Sequence, residues 1–184
     1  MFFSKSQRYV QDLMEGRKVA DALYKNRVHK ELTDSEENFI NKCNFFFIAS
    51  SGSEYIDNSI KCGSSGFVKC LTKSKISWLD FDGNRMYRTI GNIVENKKVS
   101  LLFVNFETID KVKNSDNISV IRIQGLSNVL FRKNKRPKII VKIKKIIPNC
   151  PRYIPKMMVQ EESKYLKDDI TPEWKKREYI KNIL

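Results

Sequence analysis

The chain has 184 residues, with 35 lysines and arginines against 21 aspartates and glutamates, which gives a formal net charge of +14. This length favours a single domain that buries a core without disulfides or metals. With 41% hydrophobic and 11% aromatic residues, the composition excludes a disordered chain. No apolar run approaches the roughly 18–20 residues of a membrane span. The positive charge makes a nucleic acid or a phosphate the first candidate ligand.

The cysteines are scattered along the chain, at Cys43, Cys62, Cys70 and Cys150. Because there is no Cys-x-x-Cys pair and His29 is the only histidine, the spacing argues against a zinc site. The first residues contain no basic region followed by an apolar core, so no signal peptide is expected. Scattered cysteines in a chain that is not exported predict reduced, mostly buried thiols and a cytoplasmic location.

The first third of the chain has the apolar spacing of helices. Steps of three and four residues from Tyr9 to Arg27 predict one amphipathic helix over residues 6–27. A second helix should begin after Thr33, which can form a capping box with Glu36, and should end near residue 42.

The pattern then changes to that of strands. Strands are predicted over residues 45–50, 54–60, 66–72, 75–80, 98–106, 118–131 and 138–147. In the last of them Ile139, Val141 and Ile143 should face the core, with the lysines between them facing solvent. One helix should interrupt the strands over residues 84–95, and a short helix should begin near Pro172. These elements predict a mainly β fold with α-helices, a small antiparallel barrel.

Two arginines near the start of the predicted helix over residues 84–95 suggest an anion site. Arg85 and Arg88 are three residues apart, so they would share one face of its first turns. Free N–H groups and the positive end of the helix dipole attract anions there, and arginine adds bidentate donors. The pattern predicts a bound phosphomonoester, and the alternative is two solvated arginines on an exposed face.

Seven short motifs follow one another in order along most of the chain. They are FFFIASS at 45–51, GFVK at 66–69, DFDGN at 80–84, RTIGN at 88–92, EN followed by VSLLF at 95–103, IRIQG at 121–125 and PNCPRYI at 148–154. The series resembles the pyridoxamine 5'-phosphate oxidase-like family, the FMN-binding split barrels. The DGN and NCPRY motifs look like an uncharacterised branch rather than the true oxidases, whose flavin-facing glutamine is replaced here by Val120.

The resemblance implies a six-stranded antiparallel split barrel that forms a homodimer with FMN at its interface. Residues 1–42 would be a helical segment packed on the barrel, residues 43–147 the FMN-binding barrel, and residues 148–184 a C-terminal loop and short helix of the same domain. The implied activity is that of an oxidoreductase passing hydride or electrons between FMN and an unidentified small substrate. No catalytic side chain is assigned, because the cofactor carries the chemistry.

The same resemblance implies a set of cofactor contacts. They are Lys61, Phe67, Val68, Trp78, Leu79, Asp80, Asn84, Arg85 and Arg88. Arg88 falls where the family carries a phosphate-binding arginine, and Arg85 would assist it. Lys61 stands at the family's basic position and would reach the phosphate or the pyrimidine edge of the flavin. Phe67 and Trp78 begin the two segments that match the strands beside the isoalloxazine ring.

Two further groups of residues have alternative interpretations. Asn149, Arg152 and Tyr153 would line the mouth of the active site, with Arg152 holding an anionic substrate, or would form a structural loop after the last strand. Residues 132–145 contain eight basic residues and no acidic one, which suits a nucleic-acid surface, but Phe131 is the single aromatic neighbour. A solvated face is the alternative there. For the whole protein, the alternatives are a non-catalytic flavin or haem carrier and a basic nucleic-acid-binding module.

Overall fold

The computed structural model describes residues 2–111, 118–167 and 170–183. The strands are β1 (Phe45–Ser51), β2 (Ile56–Cys62), β3 (Lys69–Thr72), β4 (Lys75–Leu79), β5 (Lys98–Val104), β6 (Val120–Arg132) and β7 (Lys135–Pro148). The helices are α1 (Lys5–Leu13), α2 (Arg17–Arg27), α3 (Asp34–Lys42), α4 (Arg88–Asn96) and α5 (Glu178–Lys181). Short 3-10 helices cover Phe106–Lys111, Lys164–Leu166 and Glu173–Lys176.

All the strands belong to one antiparallel sheet in the order β2-β1-β5-β6-β7-β4-β3. The predicted mainly β fold with α-helices is therefore confirmed. The sheet has the seven strands that the sequence pattern predicts rather than the six that the resemblance implies. No ladder between its edge strands β2 and β3 closes it in the described residues.

Side chains join the two ends of this sheet instead. β1 and β4 are separated in the sheet by β5, β6 and β7, yet the rings of Phe46 and Trp78 pack edge to face with centroids 4.9 Å apart. Lys61 on β2 reaches Asp80, just after β4, with 2.9 Å between Nζ and Oδ2. The sheet thus curls around one core, and the polar gap between its ends is where a ligand can enter.

The core follows the alternation that the sequence predicts. On β7, Ile139, Val141 and Ile143 are buried while Lys142 and Lys144 are exposed, as predicted. The fully buried side chains come mainly from the inner face of the sheet and include Phe46, Ile48, Leu101, Phe103, Ile121, Ile123, Ile139 and Ile146. Burial of this apolar face supplies the main favourable free energy of the fold.

Most strand boundaries lie close to their predicted positions, but the prediction of a strand from residue 66 is wrong. β3 begins only at Lys69, since Gly66 has a φ of +79°, a left-handed conformation that an extended strand does not contain. Residues 63–66 therefore form a loop in front of β3.

The prediction of a single helix over residues 6–27 is also wrong. The chain forms α1 and α2 with a break at residues 14–16, where Glu15 has a φ of +52° and the Gly16 N–H donates to the Gln11 carbonyl at 2.7 Å. Neither helix contains a buried residue, and Gly16, with an ordinary φ of −92°, is the N-cap of α2.

The predicted capping box at the start of α3 is confirmed. The Glu36 N–H donates to Thr33 Oγ1 at 3.2 Å, and the Thr33 N–H donates to Glu36 Oε2 at 2.9 Å. We expect Thr33→Ala to lower the free energy of unfolding by about 1 kcal/mol, because it leaves a helix N–H without its partner. Urea denaturation measures this, and Thr33→Ser, which keeps the oxygen, should remain near wild type. Equal losses in both variants would contradict the capping role.

The C-terminal segment is mostly irregular, as its prolines predict. The helix expected near Pro172 is a 3-10 turn, and Pro172 occupies its N-cap rather than its first helical position. Lys175 of this turn reaches back to Asp82 at 3.0 Å and so ties the C-terminal segment to the loop before α4. In the described parts of the chain, no helix combines the length and the hydropathy needed to cross a membrane.

Candidate functional site

A cavity of about 470 Å³ lies between β2, the end of β4 and the start of α4, and we call it the β2–α4 cavity. The sheet ends that meet at Lys61 and Asp80 form part of its wall. Of the predicted cofactor residues, those that line it are Lys61, Trp78, Leu79, Asp80, Asn84 and Arg88. Residues from three distant stretches of sequence therefore meet at one concave site.

The other predicted cofactor residues do not line this cavity. Val68 is fully buried in the core, and Phe67 lines a neighbouring cavity. The Arg85 side chain extends to Asp82, with 3.5 Å between Nε and Oδ2. Main-chain contacts of residues 67 and 68 with a cofactor stay a prediction.

The start of the helix that carries Arg88 differs from the prediction. α4 begins at Arg88, whereas Arg85 and Tyr87 have φ values of +58° and +50° and lie in the preceding loop. Asn84 stabilises this loop because its Oδ1 accepts a hydrogen bond from the Met86 N–H at 3.0 Å. The two arginines therefore do not share a helical face, and only Arg88 is at the helix terminus.

The N-terminus of α4 is open to an anion. Its N-cap residue, Tyr87, makes no side-chain capping bond. The N–H groups of the first turn have no partner within a helix, so they can donate to a ligand in the cavity that Tyr87, Arg88 and Thr89 line. The charge of Arg88 adds to the positive end of the helix dipole at the same point.

Each predicted cation has a carboxylate partner. Arg88 Nε donates to Asp57 Oδ1 at 3.1 Å, with the arginine side chain 57% exposed and the aspartate 20% exposed. The pair of Lys61 and Asp80 is much more enclosed, with side chains 15% and 6% exposed. An incoming anion therefore competes with Asp57 at the cavity mouth, where the arginine remains accessible to solvent.

Several residues of this network were not predicted from the sequence. Asp57 was missed, although the alternation of β2 places Asp57 and Lys61 on the same face of the strand. Asp82 and Lys175 were missed too, and no local pattern links positions so far apart. Burial raises the pKa of Asp82, but hydrogen bonds and charge from Lys175 and Arg85 outweigh it and leave that pKa below its ordinary value.

Trp78 lines the cavity and carries an unsatisfied donor. The residue is 2% exposed, and its Nε1–H is itself buried with no hydrogen-bond partner among the described groups. Leaving such a donor unpaired costs about 1–3 kcal/mol.

The one thiol at the cavity is not a nucleophile at neutral pH. Burial raises the pKa of Cys62, and the charge of Lys61 offsets this only in part, so the thiol stays protonated. The expectation that the cysteines are mostly buried is wrong: only Cys43 is buried, which raises its pKa to about 12, while Cys62 and Cys150 are exposed.

The residues predicted to bind substrate lie elsewhere. Asn149 Oδ1 accepts a hydrogen bond from Arg122 Nη2 at 3.1 Å, and the Tyr153 side chain is 89% exposed. The Arg152 guanidinium lies 5.9 Å from the centre of the Tyr153 ring. None of the three lines the β2–α4 cavity, so their role in substrate binding stays a prediction.

Comparisons with known proteins give matches only among solved structures; no family model and no curated protein matches the chain. A protein assigned as a pyridoxamine 5'-phosphate oxidase from Lactobacillus delbrueckii has a TM-score of 0.47 and 12% identity, covering 65% of this chain and 95% of its own. The chain is similar to split-barrel proteins of the pyridoxamine 5'-phosphate oxidase type.

Two other solved structures show the range of proteins with similar folds. One is a flavin reductase with a split-barrel domain from Shewanella frigidimarina, with a TM-score of 0.43 and 13% identity over 64% of this chain and 75% of that chain. The other is HutZ, a haem storage protein from Vibrio cholerae, with a TM-score of 0.41 and 10% identity over 65% of this chain and 91% of that chain.

Proposed function

We propose that the protein is an FMN-binding flavoprotein and that the β2–α4 cavity holds the cofactor. The observation that carries the proposal is that Arg88, the uncapped start of α4 and the enclosed pair of Lys61 and Asp80 all meet at one cavity. Its volume of about 470 Å³ lies within the range of sites that enclose small molecules.

The residues fit a ligand with one anionic end and one planar apolar part. Arg88 and the first N–H groups of α4 would hold the phosphate at the mouth of the cavity. Ile60, Leu79 and Ile90 supply the apolar part of the wall. Lys61, fixed by its ion pair with Asp80, places a buried positive charge beside the ring.

Bound FMN would supply the transfer of hydride or electrons to a small substrate, which makes the protein an oxidoreductase. The chain's own residues bind and orient the cofactor. None of those lining the cavity needs to act as an acid or a base, and Cys62 stays protonated.

The protein is also expected to be a homodimer. Ile60, Leu79 and Tyr87 line the cavity and are nevertheless 52%, 42% and 46% exposed. A second copy covering these apolar side chains would exclude water from the cofactor. Light scattering coupled to size exclusion should give twice the mass of one chain, and a monomer that still binds FMN would rule out a shared site.

The test of the proposed function is a titration with flavins. FMN should bind with quenching of its fluorescence, whereas riboflavin, which has the same ring and no phosphate, should bind at least tenfold more weakly, because it cannot use Arg88 and the start of α4. Failure to bind FMN, or equal affinity for both flavins, would contradict the proposal. Turnover with nicotinamide cofactors then distinguishes an enzyme from a non-catalytic flavin carrier.

A haem carrier fits the cavity less well. Haem iron is commonly held by an imidazole or a thiolate. The only histidine, His29, contacts Glu36 at 3.0 Å and does not line the cavity, and the Cys62 thiol is protonated. Titration with haemin should therefore give no saturable spectral change at this site.

Asp57 should limit the affinity for FMN, because the phosphate competes with its carboxylate for Arg88. We expect Asp57→Asn to strengthen FMN binding about fivefold, since an exposed ion pair is worth roughly 1 kcal/mol. Riboflavin binding should not change. Asp34→Asn removes a carboxylate far along the chain and serves as the control; weaker FMN binding in Asp57→Asn alone would show that Asp57 supports the site rather than opposing the phosphate.

A further inference from the structure

The outer face of the sheet carries positive charge that neither the core nor the proposed cofactor site accounts for. β5, β6, β7 and β4 are adjacent in the sheet, and their sequences contain no acidic residue. Four exposed lysines on these strands each lie beside a buried apolar residue, which places them on the face that points away from the core. They are Lys75, Lys98, Lys142 and Lys144, and we call them the basic strip.

The strand register places three of these lysines in one row across the sheet. Lys98 is opposite Leu126, which is in turn opposite Lys142. On the other side of β7, Lys142 is directly opposite Lys75. Like charges in this position destabilise a sheet, and no carboxylate of the described residues forms an ion pair with either lysine. A bound anion would remove that electrostatic cost.

Protection of a sheet edge does not explain the row. Lysines on edge strands prevent pairing with another chain. The edge strands here are β2 and β3, whereas β5, β6 and β7 are interior strands with a partner on both sides. The charges of Lys98 and Lys142 therefore serve another purpose.

A β-bulge brings two consecutive lysines to the same side of β7. The β6–β7 register shifts between Gln124 and Gly125, which leaves Lys144 without a partner residue. Neighbours in a regular strand point to opposite faces, but Lys144 and Lys145 both line one groove on the outer face. Glycine is needed at position 125, because a Cβ there would come within 2.6 Å of a side chain of β7.

This groove, of about 520 Å³, also supplies neutral hydrogen-bond donors. Ser51, Ser100 and Gln124 line it from β1, β5 and β6, and none of its described lining residues is acidic. Ser51 Oγ accepts a hydrogen bond from Asn96 Nδ2 at 2.6 Å, so its own O–H can donate to a ligand. Hydroxyl, amide and ammonium groups together are the donors that contact the phosphates and sugars of a nucleic acid.

The charges extend over a larger area than a small anion covers. Lys98 and Lys75 are separated by three strand spacings, which puts their Cα atoms about 14 Å apart. The major groove of a duplex, bordered by its two phosphate strands, is about 12 Å wide. Arg132, Lys133 and Lys135 at the tip of the β6–β7 hairpin carry the charge about 30 Å along β7 from the groove. A long polyanion with two rows of phosphates matches this arrangement.

The other side chains of this face argue against a single strand and against a membrane. A single strand needs exposed rings on which its bases stack, and Phe131 is the one exposed ring on β4, β5, β6 and β7, all of which the structure describes. A membrane surface needs a continuous apolar face beside the cations. Here Leu126 and Leu130, 40% and 46% exposed, are separated by Asn128.

We propose that the basic strip and the groove beside it bind the phosphate backbone of a nucleic-acid duplex. The lysines would contact phosphates of both strands, and the side chains of Ser51, Ser100 and Gln124 would donate to phosphate and sugar oxygens. Duplex binding is independent of the proposed function, because none of these residues lines the β2–α4 cavity.

The test is an anisotropy titration of the full chain with labelled DNA and RNA duplexes of the same sequence, repeated at several salt concentrations. Lys142→Gln/Lys144→Gln should weaken duplex binding about tenfold and reduce the salt slope by about two, because each phosphate contact contributes about 0.9. Lys18→Gln/Lys42→Gln removes the same charge from exposed lysines of α2 and α3 and should change the affinity less than twofold. Lys142→Arg/Lys144→Arg, which keeps the charge, should remain within threefold of wild type.

Absence of binding to both duplexes would overturn the proposal, and so would equal weakening in the two glutamine variants. Tighter binding of a single strand of the same length would assign the strip to single-stranded nucleic acid instead. Binding to vesicles of phosphatidylserine and phosphatidylcholine, without binding to a duplex, would assign it to a membrane surface. FMN affinity should change less than twofold in Lys142→Gln/Lys144→Gln, so failure of the cofactor site and failure of the basic strip are separate results.

Discussion

Replacing Arg88 by glutamate is expected to weaken FMN binding by about 3 kcal/mol, roughly 100-fold, because a charge-assisted bond to the phosphate is exchanged for repulsion. The new carboxylate would also lie beside Asp57, whose present partner is the Arg88 guanidinium at 3.1 Å. The two acids and the phosphate would then compete for the single helix terminus at the start of α4. Fluorescence titration with FMN measures the effect.

Riboflavin separates loss of the phosphate contact from loss of the fold. Since it has no phosphate, its affinity should change less than threefold in Arg88→Glu. Arg85→Glu makes the same change of charge three residues earlier in a side chain that does not line the cavity, and it should weaken FMN binding far less. Equal losses of FMN affinity in the two variants would mean that the overall positive potential of the loop attracts the cofactor, and not a contact at the helix terminus.

The two arginines also show that the start of α4 could not be predicted from the sequence. In a helix over residues 84–95, two arginines three residues apart would share one helical face, and this spacing gave the prediction. The Asx turn at Asn84 and the positive φ of Arg85 and Tyr87 start the helix later. Helix termini depend on such local hydrogen bonds, and a periodic pattern does not contain them.

The strands were predicted more successfully than the helix boundaries, for a physical reason. A strand such as β7 buries every second side chain, so the alternation of apolar and polar residues predicts which face of the sheet is buried. The capping box of Thr33 and Glu36 could also be predicted, because its two residues are close together in the sequence. By contrast, α1 and α2 contain no buried residue, so no buried apolar face marks the break between them at residues 14–16.

The candidate site was predicted in part. Lys61, Trp78, Asp80 and Arg88 were expected to share a site and do line one cavity. Asp57, the acidic partner of Arg88, was not foreseen, because its contact depends on where β2 lies relative to the start of α4. Pairings between strands distant in sequence cannot be read from spacing along the chain.

That curl depends on Phe46, and its replacement by alanine is the change expected to cost the most stability. Phe46 is fully buried on β1, and its ring lies 4.9 Å from those of both Trp78 and Phe103, centre to centre. Removing it leaves a cavity between the two ends of the sheet. Phe46→Ala should lower the free energy of unfolding by about 3–5 kcal/mol in urea denaturation. Phe131→Ala, at a ring that is 65% exposed, should cost less than about 0.5 kcal/mol.

The same substitution connects the core to the candidate site. Trp78 packs on Phe46 from the opposite end of the sheet and lines the β2–α4 cavity. If Phe46 holds the two ends together, Phe46→Ala should weaken FMN binding under conditions where circular dichroism shows the protein still folded. Phe46→Leu, which retains most of the buried volume, should recover much of that affinity. Loss of stability with unchanged affinity for FMN would mean that the strand ladders alone fix the wall of the cavity and that the aromatic contact between β1 and β4 stabilises only the core.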